Sequence, residues 1–450
     1  MEKTMNFTEG KILGPLMKFA GPVFLALFIQ SLYGAVDLLI VGRFALPADV
    51  SGVATGSMLM GTLMGAVSGL AMGVTVYLGE MIGQKREREC GRIIGSGIIL
   101  FLVLGVVMMA VIASCAGGIA RLLNAPQEAM TQTVSYIRVC GLGYVVIIAY
   151  NLISSVFRGI GDSRTPLIAV VIACVFNVAG DLLLVAGLGM GARGAAVATV
   201  AAQGISVLLS LLMIRRKKLP FTMERAHLRP EKAIIRKIVR IGAPIALQDI
   251  LTNITFLVIL ALINGLGVTV SAGVGVAEKV CYFIMLIPLA FMQSLAAFVS
   301  QNRGAGKPER AARGFAYATL VSFLIGVVMF WLAYFHGDLL ASVFANDPAI
   351  IAAAAEYLKA YGIDCLLVGF VFCFIGYFNG MECTRFVMIQ GILTAFLVRL
   401  PISWIMSRQT PTILFHIGLA VPASSVAGIA LCVIYFIVQQ RRLRRERAMQ

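Results

Sequence analysis

Asp37 and Asp181 each set a carboxylate in the middle of a long apolar run, where a charge costs several kcal/mol unless it is paired, hydrated or in use. Groups of this kind take up protons or hold small cations, so they are the first candidates for a functional site. Asn177 stands one helical turn before Asp181 in Cys174-Val-Phe-Asn-Val-Ala-Gly-Asp181, which puts amide and carboxylate on one face. That polar stripe must meet partners from other helices, because unsatisfied groups in hydrocarbon are expensive. Thr199 is a candidate partner: its run, Gly194-Ala-Ala-Val-Ala-Thr199, is made of small residues that let helices approach closely. On its own it would be an ordinary intrahelical hydroxyl. Pro22 precedes Asp37 by about four turns on nearly the same stripe and removes one helical hydrogen bond, so a bend there would move the carboxylate.

The elements that must hold these groups are membrane spans. Of the 450 residues, 60% are hydrophobic and only 13% are charged, and run after run reaches the ~20 residues that cross a bilayer as helix. The runs are continuous rather than alternating, which predicts an all-α polytopic protein and excludes a spanning barrel. Twelve runs are expected, near residues 15–41, 50–82, 93–117, 133–157, 166–187, 192–214, 240–264, 270–302, 314–336, 355–379, 386–407 and 412–439. The first is too long for a signal-peptide core and is expected to stay in the mature chain. Alternate connections carry most of the 37 basic residues, including Lys85 to Arg92, Arg215 to Arg240, Arg303 to Arg313 and the tail from Arg441. With Lys3, Lys11 and Lys18 these place both termini in the cytoplasm, in agreement with an even number of spans.

The net charge of +16 follows from that topology and from attraction to anionic lipid headgroups, so no nucleic-acid partner is expected. The nine cysteines include no CxxC pair and the three histidines are scattered, so neither a disulfide framework nor a metal site is indicated. No nucleophile-base pair, metal motif or nucleotide-binding loop appears either, which argues against an enzyme or an ATP-driven pump. No filter-like loop or ring of charge suggests a channel.

Sliding the chain against itself by 221 residues puts Gly83 on Gly304, Arg92 on Arg313, Tyr136 on Tyr357, Gly141 on Gly362, Gly159 on Gly380 and Arg164 on Arg385. A one-residue slip also puts Pro22 on Pro244. The expected organisation is a six-helix lobe over 1–214, a basic linker over 215–237 broken by Pro220 and Pro230, and a second six-helix lobe over 238–450. An even number of spans per repeat relates the lobes by a pseudo-two-fold axis along the membrane normal, which suits rocking about a central cavity. At the repeat register Val258, Val398 and Ile402 replace Asp37, Asn177 and Asp181. The second lobe carries instead Asp249 beside Gln248, Asp364, and Glu278 and Lys279, for which a mutual or interhelical charge pair is expected. Asp249, Asp364 and Gln248 are a possible second polar site.

The twelve helices in two copies, the opening Phe-Ala-Gly-Pro22, the Asp37-Leu-Leu-Ile-Val-Gly-Arg43 and Phe157-Arg-Gly-Ile-Gly-Asp162 blocks and the Asn177-x-x-x-Asp181 stripe together resemble the multidrug and toxic compound extrusion (MATE) transporters. The likeness is strongest to the DinF-like branch, which implies that Asp37, Asp181, Asn177 and Thr199 handle the coupling cation and that Pro22 bends the first helix. The NorM-like branch is associated with acids in the seventh and tenth helices, where Asp249 and Asp364 lie without a secure match. The resemblance implies export of cationic, amphipathic organic compounds from a prokaryotic cell across the cytoplasmic membrane, by a monomer without a cofactor. Proton or sodium occupancy would select among lobe conformations, and the two carboxylates are expected to titrate as a unit. Met285, Phe291 and Met292 are candidates for a substrate cleft between the lobes. A lipid-linked oligosaccharide flippase is the alternative, which would want a strongly cationic cavity.

Overall fold

A computed structural model describes residues 5–216, 221, 224–409 and 413–448; Lys3, Lys217, Lys218 and Pro220 lie outside them. The first six spans are α1 (Leu13–Phe44), α2 (Pro47–Gly83), α3 (Glu87–Leu122), the bent pair α4 (Met130–Leu142) and α5 (Tyr144–Gly159), α6 (Arg164–Asp181) and α7 (Gly191–Arg216). The second six are α8 (Lys232–Asn264), α9 (Val268–Gly304), α10 (Pro308–Phe335), α12 (Pro348–Gly380) after the short α11 (Gly337–Ser342), α13 (Thr384–Thr394) continued by α14 (Leu400–Ser407), and α16 (Ala420–Ala448) after the short α15 (Leu414–Gly418). Among the described residues eleven helices are long and apolar enough to span, and the bent pair makes the twelfth. The all-α, two-lobed architecture is the one expected.

The fourth span departs from expectation. The sequence reads as one apolar run, but the helix breaks by 52° between Leu142 and Tyr144. A methyl group on Gly143 would stand 2.3 Å from Val200 Cγ1, so α7 packs directly onto the break and only glycine fits there. Two other spans carry single π turns, Leu182–Gly187 immediately after Asp181 and Ala395–Arg399 between α13 and α14. Such turns re-aim side chains within a helix and occur often at functional sites.

The duplication is legible in contacts as well as in letters. A methyl group on Gly52 would lie 2.9 Å from Gln132, and one on Gly273 would lie 2.5 Å from Ala353. A methyl group on Gly159 would lie 2.9 Å from Leu78, and one on Gly380 would lie 2.6 Å from Val299. A methyl group on Gly141 would lie 3.2 Å from Ala113 N, and one on Gly362 would lie 3.2 Å from Tyr334 N. Each partner is shifted by the same 221 residues as its glycine, so both copies kept the same helix-to-helix approaches.

The chain forms two compact units, Met1–Ala246 with Ser300–Pro308, and Leu247–Val299 with Glu309–Gln450. The packing boundary therefore falls within α8 and not in the linker. Its cause is the fit of α8 against α2: methyl groups on Gly69, Gly73 and Gly242 would sit 2.8, 2.5 and 2.4 Å from Ala246 N, Ile238 O and Leu70 O. The last turn of α9 belongs to the first unit for a similar reason. A methyl group on Gly83 would meet Gln301 O at 2.0 Å, and one on Gly304 would meet Glu80 O at 2.1 Å. Around this reciprocal contact Lys237 Nζ lies 2.5 Å from Glu80 Oε2 and Arg303 Nη2 lies 3.9 Å from Glu80 Oε1. Gln301 Nε2 donates to Gly159 O at 3.0 Å, and Asn302 Nδ2 donates to Phe7 O at 3.1 Å. The second unit is built on an apolar core of α8, α9 and α12 residues that includes Ile259, Val274, Tyr357 and Leu358.

Candidate functional site in the first unit

Asp37, Asn177, Asp181 and Thr199 come together. Helix α6 packs on both α1 and α7, and the small residues of α7 permit the approach: a methyl group on Gly180 would touch Ala198 Cβ at 3.1 Å. Asn177 and Asp181 are fully buried and Asp37 is 5% exposed. Thr199 Oγ1 lies 3.1 Å from Asp37 Oδ2 and 2.9 Å from Ala195 O. A hydroxyl has one proton, so Thr199 donates either to an ionised Asp37 or to Ala195 O, and in the second state it can accept from a protonated Asp37. Asp181 and Asn177 also lie within hydrogen-bonding reach of the Asp37 carboxylate.

The chemistry of this cluster is set by its excess of acceptors. Asp37 Oδ1, both Asp181 carboxylate oxygens and the Asn177 Oδ1 are buried without a hydrogen-bond partner, as is the Asn177 Nδ2 donor, so the acceptors outnumber the donors. Among the described residues no basic side chain acts on either carboxylate. A proton or a small cation is what such oxygens need, since a buried acceptor without a donor loses its hydration for nothing. Asp37 and Asp181 supply negative charge, Thr199 and Asn177 neutral oxygen. The donor set therefore fits a proton shared by the acids, and equally a sodium ion.

Sequence reasoning missed the walls of the site. Tyr33 lies one turn before Asp37, and Gln203 lies one turn after Thr199; Gln203 Nε2 donates to Tyr33 Oη at 2.8 Å. Tyr136, Cys140 and Cys174 lie within electrostatic range of Asp37. The signal that could have found the first pair is the same one-turn spacing that marked Asn177 and Asp181. Pro22 lies inside α1, which runs through it as one helix from Leu13 to Phe44. The acid that follows, Asp49, has a structural role: its Oδ1 accepts from Ala192 N at 2.8 Å and so holds the start of α7.

The second-lobe candidates do not make a matching cluster. Asp364 is buried and accepts from Ser425 Oγ at 2.5 Å, with Arg399 as the charged group nearby. No charged group acts on Asp249 among the described residues, and Gln248 packs against α13, where a methyl group on Gly391 would stand 2.5 Å from its Nε2. The expected Glu278-Lys279 pair is not formed among the described residues. Neighbours on a helix point about 100° apart, and here one is half-buried while the other is exposed. Phe291 is buried, Met285 packs partly buried against the core, and the backbone of Met292 lies 2.5 Å from a methyl group placed on Gly376.

Twelve spans in two repeats, with a buried carboxylate cluster inside the first, are the build of a polytopic membrane transporter. The MatE family model matches residues 22–183 and again 244–405, once in each repeat; the chain belongs to that family. It is 26% identical over 406 residues to the probable multidrug resistance protein YpnP of Bacillus subtilis (strain 168), covering 90% of this chain and 91% of that one. To the multidrug export protein MepA of Staphylococcus saprophyticus subsp. saprophyticus it is 23% identical over 440 residues, covering 98% and 97%. Among solved structures, an outward-facing multidrug resistance MATE family transporter of the MOP superfamily superimposes with a TM-score of 0.91 at 18% identity, covering 99% of this chain and 100% of that one.

Proposed function

We propose that the protein is a cation-coupled multidrug antiporter that exports cationic amphipathic compounds by alternating access. The observation that carries this reading is the Asp37–Asp181 cluster: two buried acids, a buried amide and a hydroxyl with no basic partner among the described residues. A ligand shifts a conformational equilibrium only by its differential affinity for the two states. Occupancy of this cluster by a cation removes a buried negative charge, a large change for the lobe that holds it. The relatives named for multidrug resistance and multidrug export support the substrate class. The acidic character of the first lobe speaks against a flippase site for lipid-linked sugars, which must hold phosphate charge.

The coupling ion is the proton, on the ground that two facing carboxylates can share one without further ligands. The cluster matches the DinF-like branch in its spacing. The chain works as a monomer in the cytoplasmic membrane of a prokaryote, with both termini inside and its basic loops against anionic headgroups. Proteoliposomes loaded with ethidium test the coupling. An imposed pH gradient without sodium should drive dye movement, and movement that begins only when a sodium gradient is added would reassign the ion while leaving the site in place.

A further inference from the structure

The second lobe contains an arginine within a membrane span that the carboxylate site does not use. Arg399 ends the π turn Ala395–Arg399. Its Nε and Nη2 donate to Ser424 Oγ at 3.2 and 3.1 Å, and its guanidinium carbon lies 4.8 Å from the centre of the Phe256 ring. Ser424 gives its own proton to Val421 O at 2.7 Å, so it can only accept from the arginine. The next residue, Ser425, donates to Asp364 Oδ1 at 2.5 Å. Base and acid are thus anchored on two consecutive serines of α16, with no direct ion pair between them among the described residues. Asp364 and Ser424 are 1% and 2% exposed, and Arg399 lies within electrostatic range of Asp364. The remaining guanidinium nitrogen, Nη1, is buried without a partner.

A guanidinium stays charged in a protein interior, and such a charge needs an anion close by. We propose that Arg399 is the built-in counter-cation of Asp364, which closes the Asp364 position to the coupling cation, whereas Asp37 and Asp181 remain open to it. The two π turns mark the contrast. In the first lobe the turn follows Asp181 and two acids stand without a base; in the second the turn sets Arg399 on Ser424, next to the serine that bonds Asp364. One cluster calls for an external cation and the other supplies its own.

This inference rests on the proposed coupling role of the first lobe, and its test separates the two. Asp364→Asn, Arg399→Gln and the double variant are compared in full-length protein by thermal unfolding and by ethidium efflux from proteoliposomes, with Asp37→Asn alongside. Each single change strands one buried charge, whereas the double change removes both. The double variant is expected to unfold at a higher temperature than either single variant and to retain uphill efflux, while Asp37→Asn loses it. Additive losses in the cycle would show that the charges do not pair. A folded double variant without uphill efflux would make Asp364 part of the coupling machinery and overturn the proposal. Retained uphill efflux in Asp37→Asn would overturn the role of the first lobe and leave the pairing result standing.

Discussion

Thr199 Oγ1 and Asp37 Oδ2 meet at 3.1 Å across 162 residues of chain, and one proton decides what the contact is. With Asp37 ionised the hydroxyl donates to the carboxylate; with Asp37 protonated the hydroxyl is free to bond Ala195 O within its own helix. The joint between α1 and α7 therefore responds to occupancy of the site. Thr199→Ala should weaken cation-coupled efflux by roughly tenfold, the effect of losing a hydrogen bond of about 1.5 kcal/mol to a charged group. Thr199→Ser should restore it. Initial efflux rates at several imposed gradients measure both, and equal activity of the Ala and Ser variants would remove the hydroxyl from the mechanism.

Asp37→Asn and Asp181→Asn are each expected to abolish uphill efflux while leaving expression and unfolding temperature close to those of the parent. The amide keeps the shape and gives up the exchangeable charge. Near-normal pumping of ethidium by either variant would disqualify that residue as a coupling group.

Pro22→Ala restores a backbone donor to α1 and supplies no ligand atom. Transport should slow several-fold while equilibrium dye binding stays unchanged. Stopped-flow transport and fluorescence-anisotropy binding on one preparation test the separation, and parallel loss of both would point to a direct contact instead.

A methyl group on Gly83 would stand 2.0 Å from Gln301 O, whereas one on Gly61 of the same helix meets nothing within 4 Å. Gly61→Ala should be neutral or gain up to ~1 kcal/mol from helix propensity. Gly83→Ala forces backbone against backbone and should destabilise by about 1–3 kcal/mol. Thermal unfolding in one detergent compares them directly.

The candidate site was legible because burying a charge is a gross violation of the apolar pattern. Asp37 and Asp181 stand out in any reading of their runs, and the one-turn spacing brought in Asn177. Tyr33 and Gln203 obey the same spacing, but neither residue is anomalous in a span, so only the folded contact at 2.8 Å reveals them. Arg399 is the same kind of violation, a charge inside the apolar run 386–407, and what the sequence does not show is its partner Ser424 on another helix. The break at Gly143 left no trace in hydropathy, because it depends on Val200 from α7. Periodicity reports the environment of one helix at a time; a kink or an ion pair set by a neighbouring helix lies beyond its reach.

Glu80 and Gln301 occupy the same position in the two repeats, beside the reciprocal approach of Gly83 and Gly304. Two identical subunits meeting at such a contact would bring glutamate to glutamate or glutamine to glutamine. Joined in one polypeptide, the positions are free to differ: the acid gathers Lys237 and Arg303, while the amide holds Gly159 O. The chain thus behaves as a heterodimer written on a single strand. A substitution on one side is experienced once and not twice, so the two lobes can carry different charges at matching positions.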